Sequence, residues 1–330
     1  MLEITEAEIT SMPMDRPTVM DEYGCPGRDM PTGLRIVVIV VSTSMCFLSF
    51  IVQLPMLRAT KKFAGWNSDF SFTILFAMSV VALQLYFGEF VAHVRFAFNM
   101  ETATIDTVIG ASFMTSFLTD VALSVTMILH RVAYTFYPYK ASRVLTSRAL
   151  KIHLCVIALL HFAVLGILVS PYAGYQFCPQ SLVRFIADGE LTPLMKILNK
   201  ISNYITGFAG LIAYITICTH LYLRGSLKFS SNAEHRLTYQ VVAMSTIGLL
   251  YFLYWEFSDY LPIPEPSSSL VYEAVSLLYF NAEFAPYLLL NKTFRKEFFL
   301  FFRRKKPPAI SIKVSRLPDI KTHLSHTDSR

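Results

Sequence analysis

Long apolar segments alternate with short polar connections along most of this chain. A helix of about 20 apolar residues spans the hydrocarbon core of a bilayer, and seven segments are long and apolar enough. The predicted spans are Leu34 to Leu57, Phe70 to Val94, Ala103 to Leu129, Ile152 to Tyr172, Ile197 to Leu223, Leu237 to Tyr260 and Leu270 to Asn291. The pattern therefore predicts an all-α protein, with a seven-transmembrane helix bundle over residues 34–291.

Lysine and arginine are unevenly distributed between the predicted spans. The first, third and fifth connections are rich in these residues, whereas the second, fourth and sixth contain few of them and more acidic residues. Because basic residues in short loops stay on the cytoplasmic side, we expect the N-terminus outside the cell and the C-terminus inside. An odd number of spans agrees with this arrangement, because it places the two termini on opposite sides of the membrane.

The two ends of the chain differ from the spans. Residues 1–33 are acidic and contain no apolar core near the start, so we expect an extracellular segment without a cleavable signal peptide. Residues 292–306 place Phe294, Phe298 and Phe301 on one helical face among basic residues, which is typical of an amphipathic helix in the membrane interface. Residues 307–330 are polar and are expected to form a disordered cytoplasmic tail.

Composition agrees with a membrane protein and argues against two other classes. Hydrophobic residues make up 54% of the 330-residue chain and charged residues only 16%, which is too apolar for an ordinary soluble domain. The net charge of +6 does not indicate nucleic-acid binding, because the basic residues flank apolar spans. The sequence has no His-x-x-x-His pair, phosphate-binding loop or nucleophile elbow. We therefore expect no enzyme activity and no catalytic metal.

Motifs at the ends of three spans have an informative order. His130-Arg131-Val132 ends the third span, with Pro138 and Tyr139 in the connection after it. Glu234-His235-Arg236 precedes the sixth span, and Ala285-Pro286-Tyr287 lies in the seventh. Together they resemble the rhodopsin-like G-protein-coupled receptors, which have Asp/Glu-Arg-Tyr and Asn-Pro-x-x-Tyr at these places. Since the motifs diverge, the chain is most similar to the nematode serpentine chemoreceptors.

The resemblance implies a function. It implies a chemosensory receptor in the plasma membrane, for example of a sensory neuron's cilium, with the lipid bilayer as its surroundings. An extracellular small molecule would bind in the outer half of the bundle. The third and sixth helices would then shift at their cytoplasmic ends to engage a heterotrimeric G protein. A polytopic transporter or ion channel, and a neuropeptide or amine receptor of the same fold, are the alternatives.

Arg131 is the residue that we expect to couple to the G protein. Paired with Glu234, it would tie the third helix to the sixth; once released, it would donate hydrogen bonds to a partner. His130 stands where the family has an acid, which predicts a weaker restraint and higher basal signalling than in a His130→Asp variant. The coupling surface would include Pro138 and Tyr139. Alternatively, Arg131 only anchors the span at the interface, and His130 is a solvated side chain.

Ionisable residues within the spans predict a polar network in the core. Asp120 and Glu283 lie at depths where a charge is costly and faces the bundle interior. The predicted members are Ser79, Asp120, Ser124, Asn281 and Pro286. The resemblance implies that such a network holds a sodium ion, and a protonated Asp120 bonded to a neighbouring helix is the alternative. In either case Asp120→Ala should impair folding or signalling.

Acidic and aromatic residues in the outer halves of the spans suggest where a ligand binds. A mouth of this kind would suit a cationic or polar small molecule. The candidate ligand-binding residues are Glu89, His93, Asp106, Tyr204, Trp255, Glu256 and Glu273. The alternative is that they are headgroup-level side chains that bind nothing.

Two cysteines lie outside the predicted spans. Cys25 precedes the first span and Cys178 follows the fourth, so both are expected in an oxidising compartment. They are candidates for a disulfide that replaces the bridge of the resembled family, which this chain lacks. Free thiols or an intermolecular bridge are the alternatives.

Overall fold

The computed structural model describes residues 31–66, 70–186, 189–223, 233–261, 263 and 267–302. In these ranges the helices are α1 (Thr32–Phe63), α2 (Phe70–Phe98), α3 (Ala103–Phe136), α4 (Pro138–Val144), α5 (Ser147–Val169), α6 (Thr192–Leu223), α7 (Ala233–Phe257), α8 (Ser267–Ala282), α9 (Ala285–Leu290) and α10 (Lys292–Phe302). A 3-10 turn, Ser258–Tyr260, follows α7. Strands β1 (Tyr175–Cys178) and β2 (Val183–Ile186) form an antiparallel hairpin between α5 and α6.

Five of the described helices are long and apolar enough to cross a membrane. They are α1, α2, α3, α5 and most of α6, and α7 contains a shorter apolar segment, Val242–Phe257. The chain is therefore a mainly helical membrane protein, and the first five predicted spans correspond to these helices. The fourth was predicted to reach Tyr172, but α5 ends at Val169. The sixth predicted span corresponds to α7, in which Val242–Phe257 is the apolar segment among the described residues, and the seventh corresponds to α8 with α9, which are separated by a break.

Proline and a capping threonine set several helix boundaries. The chain leaves α3 at Tyr137, where φ is −134°, because a residue before proline avoids the helical conformation. α3 therefore runs seven residues beyond the predicted end at Leu129. Thr146 caps α5 by accepting a hydrogen bond from the Ala149 backbone N–H at 3.3 Å, so that α5 begins earlier than predicted.

α3 lies at the centre of the bundle. It packs against α2, α5, α6 and β1, and 67% of its apolar segment is buried, against 17% of that of α5. α5 presents large apolar side chains such as Leu159 and Phe162 on its exposed face. An exposed apolar surface of this extent suits contact with lipid.

Glycines allow α6 and α7 to pack at short distance. A Cβ atom added to Gly248 would lie 2.7 Å from the Thr206 carbonyl oxygen, and one on Gly210 would lie 2.7 Å from the Ser245 hydroxyl oxygen. Small residues at helix interfaces in a membrane permit such close approach. α6 and α7 are therefore in contact through backbone atoms as well as through side chains.

A break separates α8 from α9. α8 ends at Ala282, and Pro286 lies in the first turn of α9, where it has no N–H to bond to the preceding turn. The Phe284 N–H instead bonds to the Asn281 carbonyl at 3.3 Å. The predicted seventh span is thus two helices joined at Glu283 and Phe284.

α10 packs against the end of α1. Phe294 and Phe298 are buried, with the Phe294 ring centroid 6.1 Å from that of Phe72 in α2, and Lys62 pairs with Glu297 at 2.5 Å. Phe301, which we predicted on the same face, is 41% exposed. Only the first two phenylalanines are therefore covered by the bundle.

We call this side of the molecule the α10 end. The opposite side, which carries β1 and β2, is the hairpin end.

Candidate functional site

The hairpin end contains a buried arginine between two glutamates. Arg184 of β2 donates a hydrogen bond from Nη1 to Glu273 Oε2 of α8 at 3.0 Å. Its Nη2 donates to Glu89 Oε2 of α2. All three side chains are almost fully buried. A single side chain of the hairpin therefore joins two helices that are far apart in sequence.

His93 extends this cluster by one helical turn of α2. Its Nε2 donates to Glu273 Oε1 at 3.1 Å. Potential ligand atoms of Glu89, His93 and Glu273 lie within 4.8 Å of one another, a spacing that a metal ion could use. However, the Arg184 guanidinium already occupies both carboxylates, and a metal cation would have to displace it. The cluster is better described as an ion-pair network than as a metal centre.

Aromatic rings enclose the Arg184 guanidinium. Its Cζ lies 4.3 Å from the ring centroid of Phe113 and 5.9 Å from that of Tyr272. Burial alone would lower the pKa of the guanidinium, but the Glu273 and Glu89 carboxylates outweigh burial and raise that pKa. Arg184 therefore stays charged throughout the physiological pH range.

The turn of the hairpin is anchored in the protein. Leu182 has a φ of 58°, a left-handed conformation that costs energy for a residue with a side chain. Its side chain is fully buried in a cluster with Phe96 and Phe177, and its N–H bonds to the Cys178 carbonyl at 2.9 Å. Apolar burial thus holds the turn in place.

A cavity of about 210 Å³ lies beneath the hairpin, between α3, α6, α7 and α8. Its aromatic lining includes Phe113, Phe117, Tyr175, Tyr251, Trp255 and Tyr272, and its polar lining includes Arg184, Asn199 and Asn203. Burial raises the pKa of the Tyr175 hydroxyl, which therefore remains neutral near pH 7. An apolar cavity with a few polar groups has the character of a small-molecule site.

Four of the seven predicted ligand-binding residues belong to this region. Glu89 and Glu273 bond to Arg184, His93 bonds to Glu273, and Trp255 lines the cavity. The expectation of an acidic mouth open to a cationic ligand needs correction, because Arg184 already pairs with both carboxylates. Sequence reasoning missed Arg184, since a single arginine in a loop carries no sign that it will be buried.

The other three predicted ligand-binding residues lie outside the cavity lining. Asp106 accepts hydrogen bonds from Arg95 Nε at 2.8 Å and from the Thr102 backbone N–H at 2.9 Å, so its carboxylate stabilises the start of α3. Tyr204 donates to Glu256 at 3.1 Å on the exposed side of α6 and α7. Asp106, Tyr204 and Glu256 therefore do not contribute to this cavity, and their role in ligand binding stays a prediction.

The predicted core network forms two separate clusters. Asp120 of α3 lies within hydrogen-bonding reach of Glu283 and Tyr279, and the Ser124 hydroxyl donates to Glu283 at 3.4 Å. Separately, Asn281 donates to the Ser49 hydroxyl at 2.7 Å, and Gln53 donates to the Ser79 backbone carbonyl at 3.4 Å, while the Ser79 hydroxyl has no hydrogen-bond partner among the described residues. Pro286 is buried beside the break.

The Asp120 and Glu283 carboxyl groups have unused oxygen atoms. Asp120 Oδ2 and Glu283 Oε2 are buried and have no hydrogen-bond partner in the part of the chain that the structure describes. Glu283 also lines a second cavity, of about 50 Å³. These oxygen donors fit the sodium ion implied by the resemblance, and they equally fit a proton shared between two carboxyl groups.

Arg131 lies near the α10 end of α3. It is half-buried and within hydrogen-bonding reach of the Tyr287 hydroxyl of α9, which itself donates to Met127 Sδ at 3.2 Å. The Nε of Arg131 has no hydrogen-bond partner among the described residues. The side chain is therefore only partly engaged.

His130 has surroundings different from those of Arg131. It is buried, with its ring centroid 5.3 Å from that of Phe70 and 4.7 Å from that of Tyr134. It is not a solvated interfacial side chain. A His130→Asp substitution would therefore bury a carboxyl group among aromatic rings, so it tests folding as well as the restraint on Arg131.

The remaining predicted residues are placed as follows. Pro138 begins α4, and Tyr139 is 87% exposed beside it. Glu234 belongs to α7, but its side chain lies outside the described part, so its pairing with Arg131 stays a prediction.

Cys178 is disulfide-bonded. Cys25 lies outside the described residues, so the pairing of these two cysteines also stays a prediction.

Comparison of the chain with protein-family models and with curated proteins gives no match. The assignment of a function therefore rests on the geometry of the chain's own residues.

Proposed function

We propose that the chain is a seven-transmembrane chemosensory receptor of the rhodopsin-like kind, which binds a small extracellular molecule beneath the hairpin and activates a heterotrimeric G protein at the α10 end. In this proposal α7 is the sixth span, and α8 with α9 is the seventh. The hairpin end faces outward in the plasma membrane, consistent with the distribution of lysine and arginine between the connections.

One observation carries the proposal: the same two parts of the chain reach both the cavity and Arg131. α3 contributes Phe113 and Phe117 to the cavity lining and holds Arg131 near its other end. α8 contributes Tyr272 to the cavity, and Tyr287 of α9, beyond the break, contacts Arg131. A ligand that shifts α8 against α3 can therefore change the surroundings of Arg131.

A receptor of this kind needs an element that can adopt two states. In this proposal that element is the break between α8 and α9. Glu283 at the break interacts with Asp120 of α3, so a change of ion or proton at this carboxyl pair would alter how α9 sits against α3. Movement of Tyr287 would then free the Arg131 guanidinium, which can donate several hydrogen bonds to an inserted partner helix. Ligand binding at one end thereby shifts a population at the other.

The proposal is tested by G-protein activation in cells that express the full chain. Cells are exposed to panels of small molecules, and wild type is compared with Arg131→Ala at matched surface expression. We expect the substitution to abolish the ligand-evoked response. Arg148→Ala is the matched control, since this exposed arginine at the start of α5 also lies at the α10 end. A ligand-evoked current that needs no G protein and persists in Arg131→Ala would instead indicate an ion channel.

A further inference from the structure

Two asparagine side chains line the cavity beneath the hairpin. Asn199 and Asn203 lie one turn apart on α6, and both are half-buried. We infer that they bind the carboxamide group of a small neutral ligand whose body is apolar or aromatic. This inference rests on the proposed function in so far as the cavity is the receptor's ligand site, and it names the chemical class that the site would recognise.

The positions of the two asparagines along α6 turn their amides towards the cavity. Ile197 and Ile201 are 57% and 51% exposed, so they mark the outer side of this helix. Residues two positions apart point to nearly opposite sides of an α-helix, which places Asn199 and Asn203 on the inner side. Side chains four positions apart share a face, with their Cβ atoms about 5–6 Å apart. One planar polar group can therefore reach both amides.

Hydrogen bonding requires a ligand that both donates and accepts. Each asparagine amide has a carbonyl that accepts and an NH₂ group that donates, and neither amide forms a hydrogen bond with a residue that the structure describes. A ligand that displaces water from such groups without replacing the hydrogen bonds loses affinity. A carboxamide carries a carbonyl and an N–H group side by side, so it can accept from one asparagine and donate to the other. A ketone can only accept.

The accessible lining carries no charge among the described residues. Arg184 is the charged residue at the cavity wall, but its side chain has no exposed surface and is bonded to Glu89 and Glu273. A charged ligand would therefore leave water without meeting a group of opposite charge. That transfer costs far more than the transfer of a neutral amide that finds hydrogen-bond partners. The site therefore favours a neutral ligand.

Size limits the ligand to roughly one substituted ring. The cavity measures about 210 Å³, and a protein cavity of about 150 Å³ is known to hold benzene. The rings of Phe113, Phe117 and Trp255 line the cavity and suit an aromatic body. Benzamide, a single ring with one carboxamide group, is therefore a suitable probe.

Fluorine NMR tests binding with para-fluorobenzamide and the purified full chain in lipid nanodiscs. Bound probe tumbles slowly, so its fluorine resonance should broaden to a saturable extent, and added benzamide should reverse the broadening. Empty nanodiscs give the broadening that lipid alone causes. Acetophenone has almost the same shape as benzamide but a methyl group in place of the amide nitrogen, and benzoate has a charged oxygen there. We expect each of them to compete at least about threefold less effectively than benzamide.

Two variants test the asparagines one at a time. Asn199→Leu and Asn203→Leu replace an amide by an apolar side chain of similar size, so each should weaken benzamide binding about threefold to tenfold. The preference for benzamide over acetophenone should also shrink in each variant, which a general disturbance of the cavity would not produce. Lys200→Ala removes an exposed lysine of the same helix and should bind benzamide as wild type does. If one asparagine variant does not fold, the other still tests its own amide.

The outcomes separate the ligand class from the receptor function. Absence of saturable broadening, acetophenone or benzoate competing as well as benzamide, or unchanged benzamide binding in either folded asparagine variant would each overturn the inferred ligand class. G-protein activation is measured separately in cells. Carboxamide binding without any G-protein response would overturn the receptor function and leave the ligand class standing.

Discussion

The two arginines at opposite ends of the bundle have different surroundings. Arg184, at the hairpin end, is fully buried and bonded to two carboxylates from separate helices. Arg131, at the α10 end, is half-buried, and its contact with Tyr287 is with a neutral hydroxyl. An arginine whose charge is balanced inside the protein holds the structure together. Arg131 has no carboxylate partner among the described residues, so its guanidinium is the more available to a partner.

Other side chains at the two ends also differ in burial. At the hairpin end, Asp106 and Arg95 form a second buried ion pair, and the turn of the hairpin is buried at Leu182. At the α10 end, the Lys62 side chain is 57% exposed in its pair with Glu297, and Tyr139 of α4 is also exposed. We therefore expect substitutions in the ion pairs of the hairpin end to act mainly on stability and those around Arg131 mainly on signalling.

The largest effect on stability is expected from Arg184→Ala. The substitution leaves Glu89 and Glu273 buried without their cation, which should cost about 3–5 kcal/mol in the free energy of unfolding. Thermal unfolding of the purified chain measures this loss. Arg148→Ala, which removes an exposed arginine, should change the melting temperature little. Equal melting temperatures for the two variants would mean that Arg184 does not hold the hairpin.

A smaller loss is expected where the hairpin backbone touches α3. A Cβ atom at Gly110 would lie 2.3 Å from the Tyr175 carbonyl oxygen, so Gly110→Ala must push β1 away and should cost about 1–3 kcal/mol. Gly166 of α5 has no atom within 4 Å of an added Cβ, and Gly166→Ala should stabilise the helix by about 0.5–1 kcal/mol. Unfolding measurements should therefore give opposite signs, and the same sign for both would contradict the close contact.

Tyr287→Phe tests whether Tyr287 restrains Arg131 at the α10 end. It removes the hydroxyl that bonds to Met127 and contacts Arg131, at a cost of about 0.5–1.5 kcal/mol in stability. Because Arg131 loses a restraint, basal G-protein activation should rise above that of wild type at equal surface expression. Unchanged basal activation would show that Tyr287 does not restrain Arg131.

The smallest effect is expected at the surface of the α10 end. Lys62→Ala breaks the exposed pair with Glu297 and should cost about 0.2–1 kcal/mol, with the difference shrinking as salt is added. Lys61→Ala removes a neighbouring exposed lysine and serves as the control. A loss above about 2 kcal/mol for Lys62→Ala alone would show that this end is held by charge after all.

Local patterns accounted for much of the helical framework. α2 and α3 begin at Phe70 and Ala103, as the apolar runs predicted. A run long enough to span a membrane forms a helix because its backbone groups must bond to one another in lipid. α3 ran longer than predicted, to Phe136, because the residues after Leu129 continued the helix until Pro138 ended it. The pairing of Asp120 with Glu283 was also within reach of sequence reasoning, since buried carboxyl groups seek partners.

The sequence by itself therefore determined that the chain is helical and membrane-embedded and where α2, α3 and α10 begin. Only the tertiary structure decided that Arg184 enters the core, that Glu89 and Glu273 are bound internally, and that Asp106 and Glu256 lie outside the cavity. The physical reason is that hydrophobic runs act locally, through the backbone's need for hydrogen bonds in lipid. Charge pairing joins residues about 90 positions apart, as in Arg184 with Glu273 and Glu89, and depends on how the helices pack.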